Sequence, residues 1–166
     1  GTTRYLGEVV ELAPDGKTTK YIFAGAQRIC AVVRGPSTVD YRYYHSDHLG
    51  SSNVVTDASG ALVELNEHTP YGSLSRHEGT TDVAQKFTGQ RLDVSTGLYF
   101  YQARYYDPML GRFIQADSIV PAPSDPQTLN RYSYVRNNPV NFVDPSGHNP
   151  LLWLVFLAVF VVVVAV

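Results

Sequence analysis

Short β-prone runs separated by Asp/Gly turns recur through the first 66 residues, and this punctuation constrains the fold more than any other feature of the chain. Gly7–Leu12 leads into Pro14-Asp15-Gly16 and then into a second run, Thr18–Phe23. Proline presets φ and glycine accepts positive φ, so this spacing predicts a hairpin. A third run, Arg28–Val33, ends at Arg34-Gly35-Pro36, after which the unit returns in imperfect copies. Tyr41–Tyr44, the turn Asp47–Gly50, Ser52–Thr56, the turn Asp57–Gly60 and Ala61–Asn66 follow one another. Successive hairpins with closely spaced turns predict a meandering antiparallel sheet, mainly β, with no helix longer than about three turns between Gly7 and Phe113.

Composition agrees. Twelve Tyr against 7 Phe and 1 Trp, with 13 Gly and 10 Pro, suits short strands joined by turns, and a tyrosine packs its ring while its hydroxyl reaches water. A net charge of −2 leaves no broad basic field, which argues against nucleic acid as the main partner. Cys30 is the only cysteine, so neither an internal disulfide nor a cysteine-ligated zinc site is possible. His45 and His48 flank Asp47 but lack a nearby third and fourth ligand, and a solvated turn is the reading. No metal, cofactor or small-molecule substrate is expected. The chain opens at Gly1 without the basic and apolar regions of a signal peptide, as expected of a fragment or a processed end.

From Phe87 the chain becomes denser in rings. Leu98–Tyr106 reads as a strand run presenting Tyr99, Tyr101 and Arg104 to one face. Arg104, Arg112 and Arg131 lie among tyrosines and are expected to stack or pair within the sheet. A short helix is predicted near 125–133, where Asp125 precedes Pro126. The last 16 residues, Leu151–Val166, carry no charge. As a helix they would extend about 24 Å, somewhat less than a hydrocarbon core of about 30 Å. The expectation is a C-terminal helix in a membrane or a membrane-protein complex, with Leu151, Trp153, Phe156, Phe160 and Val166 as its anchor; a buried core segment is the alternative.

A series of motifs occurs in order: Tyr43-Tyr44-His45-Ser46-Asp47-His48-Leu49-Gly50-Ser51, Pro70-Tyr71-Gly72, Phe87-Thr88-Gly89, Thr96-Gly97-Leu98-Tyr99, Ala103-Arg104-Tyr105-Tyr106-Asp107-Pro108, Gly111-Arg112-Phe113, Asn130-Arg131-Tyr132, Asn137-Asn138-Pro139 and Asp144-Pro145-Ser146-Gly147-His148. In this order they resemble the RHS repeat-associated core domain of bacterial RHS and YD-repeat proteins. The resemblance partitions the chain into degenerate YD-type repeats (1–40), the core domain (41–148) and the hydrophobic tail (149–166). It implies a hollow shell of spiralling strands, closed at one end by the core, which in relatives encloses a C-terminal toxin. It also implies, in several relatives, one self-inflicted cut just after Asp-Pro-x-Gly by two aspartates acting like an aspartyl protease. By motif position these would be Asp117 and Asp144, with the cut on the C-terminal side of His148.

Two carboxyls can do this chemistry when one holds a proton while the other activates water. The other reading of Asp117 and Asp144 is turn capping, since each precedes Ser or Pro. Ser118 stands where an Asp-Pro dipeptide is usual, and His148 where Leu is common at cut sites. Two functions follow. The first is a non-catalytic structural or accessory module held at a membrane by its tail; the second is the self-cleaving core of a toxin-delivery protein. Either belongs at the bacterial surface or membrane, with the β region outside the cytoplasm, and has the rest of a larger shell as a partner.

Overall fold

The computed structural model describes residues 2–79, 83–119, 124, 126–148 and the backbone of 151–152. The predicted meander is present. Eight strands form one antiparallel sheet in sequence order: β1 (Arg4–Leu6), β2 (Val10–Leu12), β3 (Thr18–Ala24), β4 (Gln27–Arg34), β5 (Val39–Ser46), β6 (Ser52–Thr56), β7 (Leu62–His68) and β8 (Leu74–Gly79). Each turn aspartate works as its spacing suggests, because a short carboxylate can accept from the backbone two residues ahead. Asp47 accepts from the Leu49 and Ser51 N–H groups at 2.9 and 2.8 Å, and Asp57 from Ser59 and Ala61 at 2.8 and 3.0 Å. Alternation then sorts the faces: Ala31, Tyr44 and Val55 are buried, while Ile22, Tyr41 and Tyr43 remain exposed.

A second sheet, ordered β12-β11-β10-β9, comprises β9 (Arg91–Asp93), β10 (Leu98–Tyr101), β11 (Arg104–Asp107) and β12 (Arg112–Phe113). The run from Leu98 to Tyr106, read from sequence as continuous, is a hairpin that turns at Gln102 with φ of 59°. Tyr101 lies opposite Arg104 and Tyr99 opposite Tyr106, so the four still share one face. That face, with Phe87, Phe113, Tyr134 and Val135, forms an aromatic core. Tyrosine hydroxyls fasten it to the sheet: Tyr106 donates to the Tyr71 carbonyl at 2.7 Å and Tyr99 to the Gly72 carbonyl at 3.3 Å. Gly72, at φ of +88°, is required there, since a Cβ would lie 2.4 Å from the Phe87 ring.

The short helix predicted near 125–133 is present as a single described turn, α1 (Pro126–Leu129), which ends where Asn130 diverts the chain. Its side chain accepts from the Tyr132 N–H, and its carbonyl accepts from Ser133. The hydrophobic tail does not begin as a helix: Leu151–Leu152 form β14, antiparallel to β13 (Phe142–Val143). A strand satisfies these backbone groups against a neighbour that already exists, where a helix would have to nucleate. Among the described residues no helix is long and apolar enough to cross a membrane. Trp153, Phe156, Phe160 and Val166 lie outside the described residues.

Candidate functional site: a buried Asp–Arg–Asp clamp

Three backbone features bring Asp117, Asp144 and Arg104 together. Arg104 opens β11 directly after the Gln102 turn. Asp117 is placed where the 113–117 segment runs beside residues 131–132, through the Phe113 N–H to Tyr132 and the Asp117 N–H to Arg131 carbonyl bonds at 3.0 and 2.9 Å. Asp144 starts a turn whose Gly147 has φ of +79°; a Cβ there would meet the Tyr101 carbonyl at 2.4 Å, so only glycine fits. The Ala103 N–H also donates to the Ser146 carbonyl, which ties this turn to the β10–β11 hairpin.

Each aspartate divides its two oxygens between two tasks. Oδ1 of Asp144 accepts from the Gly147 and His148 N–H groups at 2.8 and 3.1 Å, and Oδ1 of Asp117 accepts from the Ile119 N–H at 2.9 Å. These bonds are the turn capping that the sequence suggests. Both Oδ2 atoms face one nitrogen, Arg104 Nη2, at 2.9 Å for Asp117 and 3.6 Å for Asp144. Nε of the same guanidinium donates to the Gly147 carbonyl, and Nη1 donates to the Arg131 carbonyl at 2.9 Å. The guanidinium also lies over the Phe113 ring, 3.6 Å from its centroid. All three charged side chains are buried. Burial pulls the Arg104 guanidinium below its ordinary value, and the charges of Asp117 and Asp144 oppose that shift.

His148 joins the cluster through Nδ1, which donates to Asp117 Oδ1 at 2.8 Å. A carboxylate only accepts, so the ring proton sits on Nδ1. Beside the cluster lies a cavity of about 40 Å³, lined by Asp117, Thr128, Arg131, Asp144 and His148 among others. It exceeds the roughly 10–15 Å³ that one water requires. The structure thus brings together Asp117, Asp144 and His148, all three residues assigned from motif position. The sequence places Arg104 as a residue that stacks or pairs within the sheet; its role between two aspartates has no local signal, because its partners stand 13 and 40 positions further on. His45 and His48 are apart from this site, bonded to Thr56 Oγ1 and to the Val140 carbonyl, both at 3.0 Å. Among the described residues no group of three His, Cys, Asp or Glu side chains is arranged to hold a metal.

Aspartate-turned hairpins in sequence order, closed by a tyrosine core, define a building block of a β-shell. Residues 14–140 match the family Teneurin YD-shell, and the chain belongs to that family. It is 36% identical over 129 residues to Salivary gland surface protein 1 of Aedes aegypti, covering 72% of this chain and 4% of that protein. It is 36% identical over 118 residues to Toxin subunit YenC2 of Yersinia entomophaga, covering 68% of this chain and 12% of that one. Among solved structures, TcdB2-TccC3-Cdc42 superposes with a TM-score of 0.74 at 28% identity, over 89% of this chain and 8% of the other. The chain therefore spans a small part of each of these much longer relatives.

Proposed function

We propose that the chain is a structural module, a slice of a YD-type β-shell with its closing core, in a protein of the toxin-related RHS class that works outside the cytoplasm. The carrying observation is the sheet order: eight hairpin-linked strands whose outermost members, β1 and β8, each pair with one described strand and are exposed along their length. An open-edged sheet docked on a dense core suits a piece that continues into further strands of a larger shell. Within this reading residues 1–40 are the last repeats and 41–148 the core. The clamp supports a structural role for the aspartates, since Arg104 neutralises charge between two carboxylates that also cap turns. The names of the relatives, a surface protein and a toxin subunit, support the extracytoplasmic setting.

A second reading, self-cleavage after His148, is supported by a different observation. Asp117 and Asp144 converge from positions 27 residues apart beside a cavity that admits a water. An aspartyl pair needs its two carboxyls to share a proton around that water. Here a guanidinium occupies the space between them, which is why the structural reading is preferred. Mass analysis of C-terminal peptides from the purified chain separates the two. The structural reading expects the bond between His148 and Asn149 to stay intact. A new terminus at His148 that disappears in both Asp117→Asn and Asp144→Asn would replace it with the self-cleaving one.

A further inference from the structure

A second buried charged cluster lies where the eight-stranded sheet meets the core. Glu64 and Asn66 alternate along β7 and so point to the same side. Both are completely buried, and Lys86, just ahead of Phe87, is 2% exposed. Lys86 Nζ donates to Glu64 Oε1 at 2.6 Å and lies 3.4 Å from Asn66 Oδ1. Asn66 Nδ2 donates to the same Glu64 Oε1 at 2.7 Å and to the Ser52 carbonyl at 3.2 Å. Glu64 Oε2 accepts from the Val83 N–H at 2.7 Å. His77 Nδ1 donates to Asn66 Oδ1 at 2.8 Å.

An ion pair wholly removed from water is a costly way to hold two segments together, because desolvation offsets much of the attraction. The placement of these groups suits a reaction. We propose that Lys86 and Asn66 condense into an intramolecular isopeptide bond, with Glu64 carrying the protons. Proton transfer along the Nζ–Oε1 contact leaves a neutral amine, the nucleophilic form of lysine, and a protonated carboxyl. The amine, whose Nζ lies 3.4 Å from Asn66 Oδ1, attacks the adjoining Cγ, and the His77 N–H stabilises the negative charge that develops on Oδ1. Glu64, in contact with both nitrogens, takes a proton from Nζ and delivers one to Nδ2. The Nζ–Cγ bond forms, the Cγ–Nδ2 bond breaks and ammonia leaves. Nothing is oxidised or reduced, and no external reactant is needed. The product is a neutral amide that replaces the buried charges and joins β7 of the sheet covalently to the first residues of the core.

The test is the mass of the full chain and its tryptic map under denaturing conditions. The expected chain is lighter than its sequence by one ammonia. Trypsin cuts after Arg76, so residues 66 and 86 normally fall on separate peptides; the bond would instead join 43–76 to 77–91, with cleavage after Lys86 blocked. Asn66→Asp should lose water rather than ammonia and reach the same final mass as the condensed wild type. Glu64→Gln removes the proton carrier and should slow the reaction by about 10²-fold or more. A folded wild-type chain of full sequence mass overturns the proposal whatever the variants do. So does an ammonia loss with the two peptides separate, which signals a succinimide at an asparagine.

Discussion

The eight-stranded sheet and the aromatic core are both built from strands and aspartate turns, yet they bury different things. The sheet packs one small cluster, Ala31, Tyr44 and Val55 with Val83 from the segment beyond it, and large side chains such as Ile22, Tyr41, Tyr43 and Leu62 stay exposed. In the core seven residues pack together, six of them aromatic, with Tyr106 and Tyr134 ring centroids 4.5 Å apart and Tyr101 edge-on to Phe113 at 5.6 Å. The sheet is thus specified locally, by turns and alternation, and the core by contacts far apart in sequence. A sheet wet on one face gains little from its own burial. Much of its stability must come from the core to which Tyr99 and Tyr106 fasten it.

The sharpest way to break this contrast is to truncate one large side chain in each region. Tyr106→Ala is expected to cost about 3–5 kcal/mol through lost burial and a cavity. Ile22→Ala, on the exposed face, should stay within about 0.5 kcal/mol. Urea denaturation of both variants checks this, and equal losses would mean that the core has no special weight. Arg104→Met tests the clamp that closes the core. Removing the cation leaves two buried carboxylates uncompensated, with an expected loss of about 3–5 kcal/mol. If the clamp contributes little, that variant will unfold at the wild-type midpoint.

Titration separates the regions again. Burial raises the phenols of Tyr99, Tyr101, Tyr106 and Tyr134 in the core, and those of Tyr44 and Tyr21 in the sheet, the last to about 12. The unfolded chain releases these protons near pH 10. Their contribution is therefore intact below that pH and is lost as pH rises through the folded values. Ultraviolet titration should show these six of the 12 tyrosines ionising late and together with unfolding. At the junction, both ring nitrogens of His68 are buried and find no hydrogen-bond partner among the described residues. Burial pushes the imidazole down to about 4, against the opposing charge of Asp47. The unfolded chain binds this proton near 6.5, so stability should be full above that value and fall as pH drops from about 6.5 to 4. His68→Phe should flatten that part of the stability curve; an unchanged slope would move the acid sensitivity elsewhere.

How much of this was legible depended on the range of the signal. Pro14-Asp15-Gly16, Asp47–Gly50 and Asp57–Gly60 each carry their turn within four residues, and the strands around them appear where the turns predict. The Gln102 hairpin is not visible in the sequence because a left-handed glutamine has no local mark; distant ties, from Ala103 to Ser146 and from Gln102 to Glu8, help to secure it. The tail was misread at its start because an apolar run shows no period to distinguish helix from strand, and Val143 and Phe142 as partners could not be seen locally. Asp117 and Asp144 are placed by motif order, whereas nothing in the local sequence marks Glu64, Asn66 and Lys86 as a cluster. Its burial depends on the contacts that Val83 and Lys86 make with Glu64 of β7.

The smallest expected effect compares one turn chemistry in both settings. Asp57 in the sheet and Asp144 in the core each cap a turn through Oδ1, but Asp57 is open to water and Asp144 faces Arg104. The Ser59 side chain and the Ser59 and Ala61 N–H groups hold the Asp57 carboxyl below the usual carboxylate range. Its contribution is therefore present above that range and lost as pH falls through the depressed folded value. Asp57→Ala should lower the melting temperature slightly at neutral pH and not at all in strong acid, since water can replace the lost acceptor. Asp144→Ala strands the Gly147 and His148 N–H groups in a buried site and leaves Arg104 with one counter-charge, so its melting temperature should fall considerably further. Thermal melts of the two variants at neutral and acid pH measure the difference. Equal shifts at neutral pH would show that the aspartates act as turn caps alone, and that the Arg104 clamp adds nothing to the second of them.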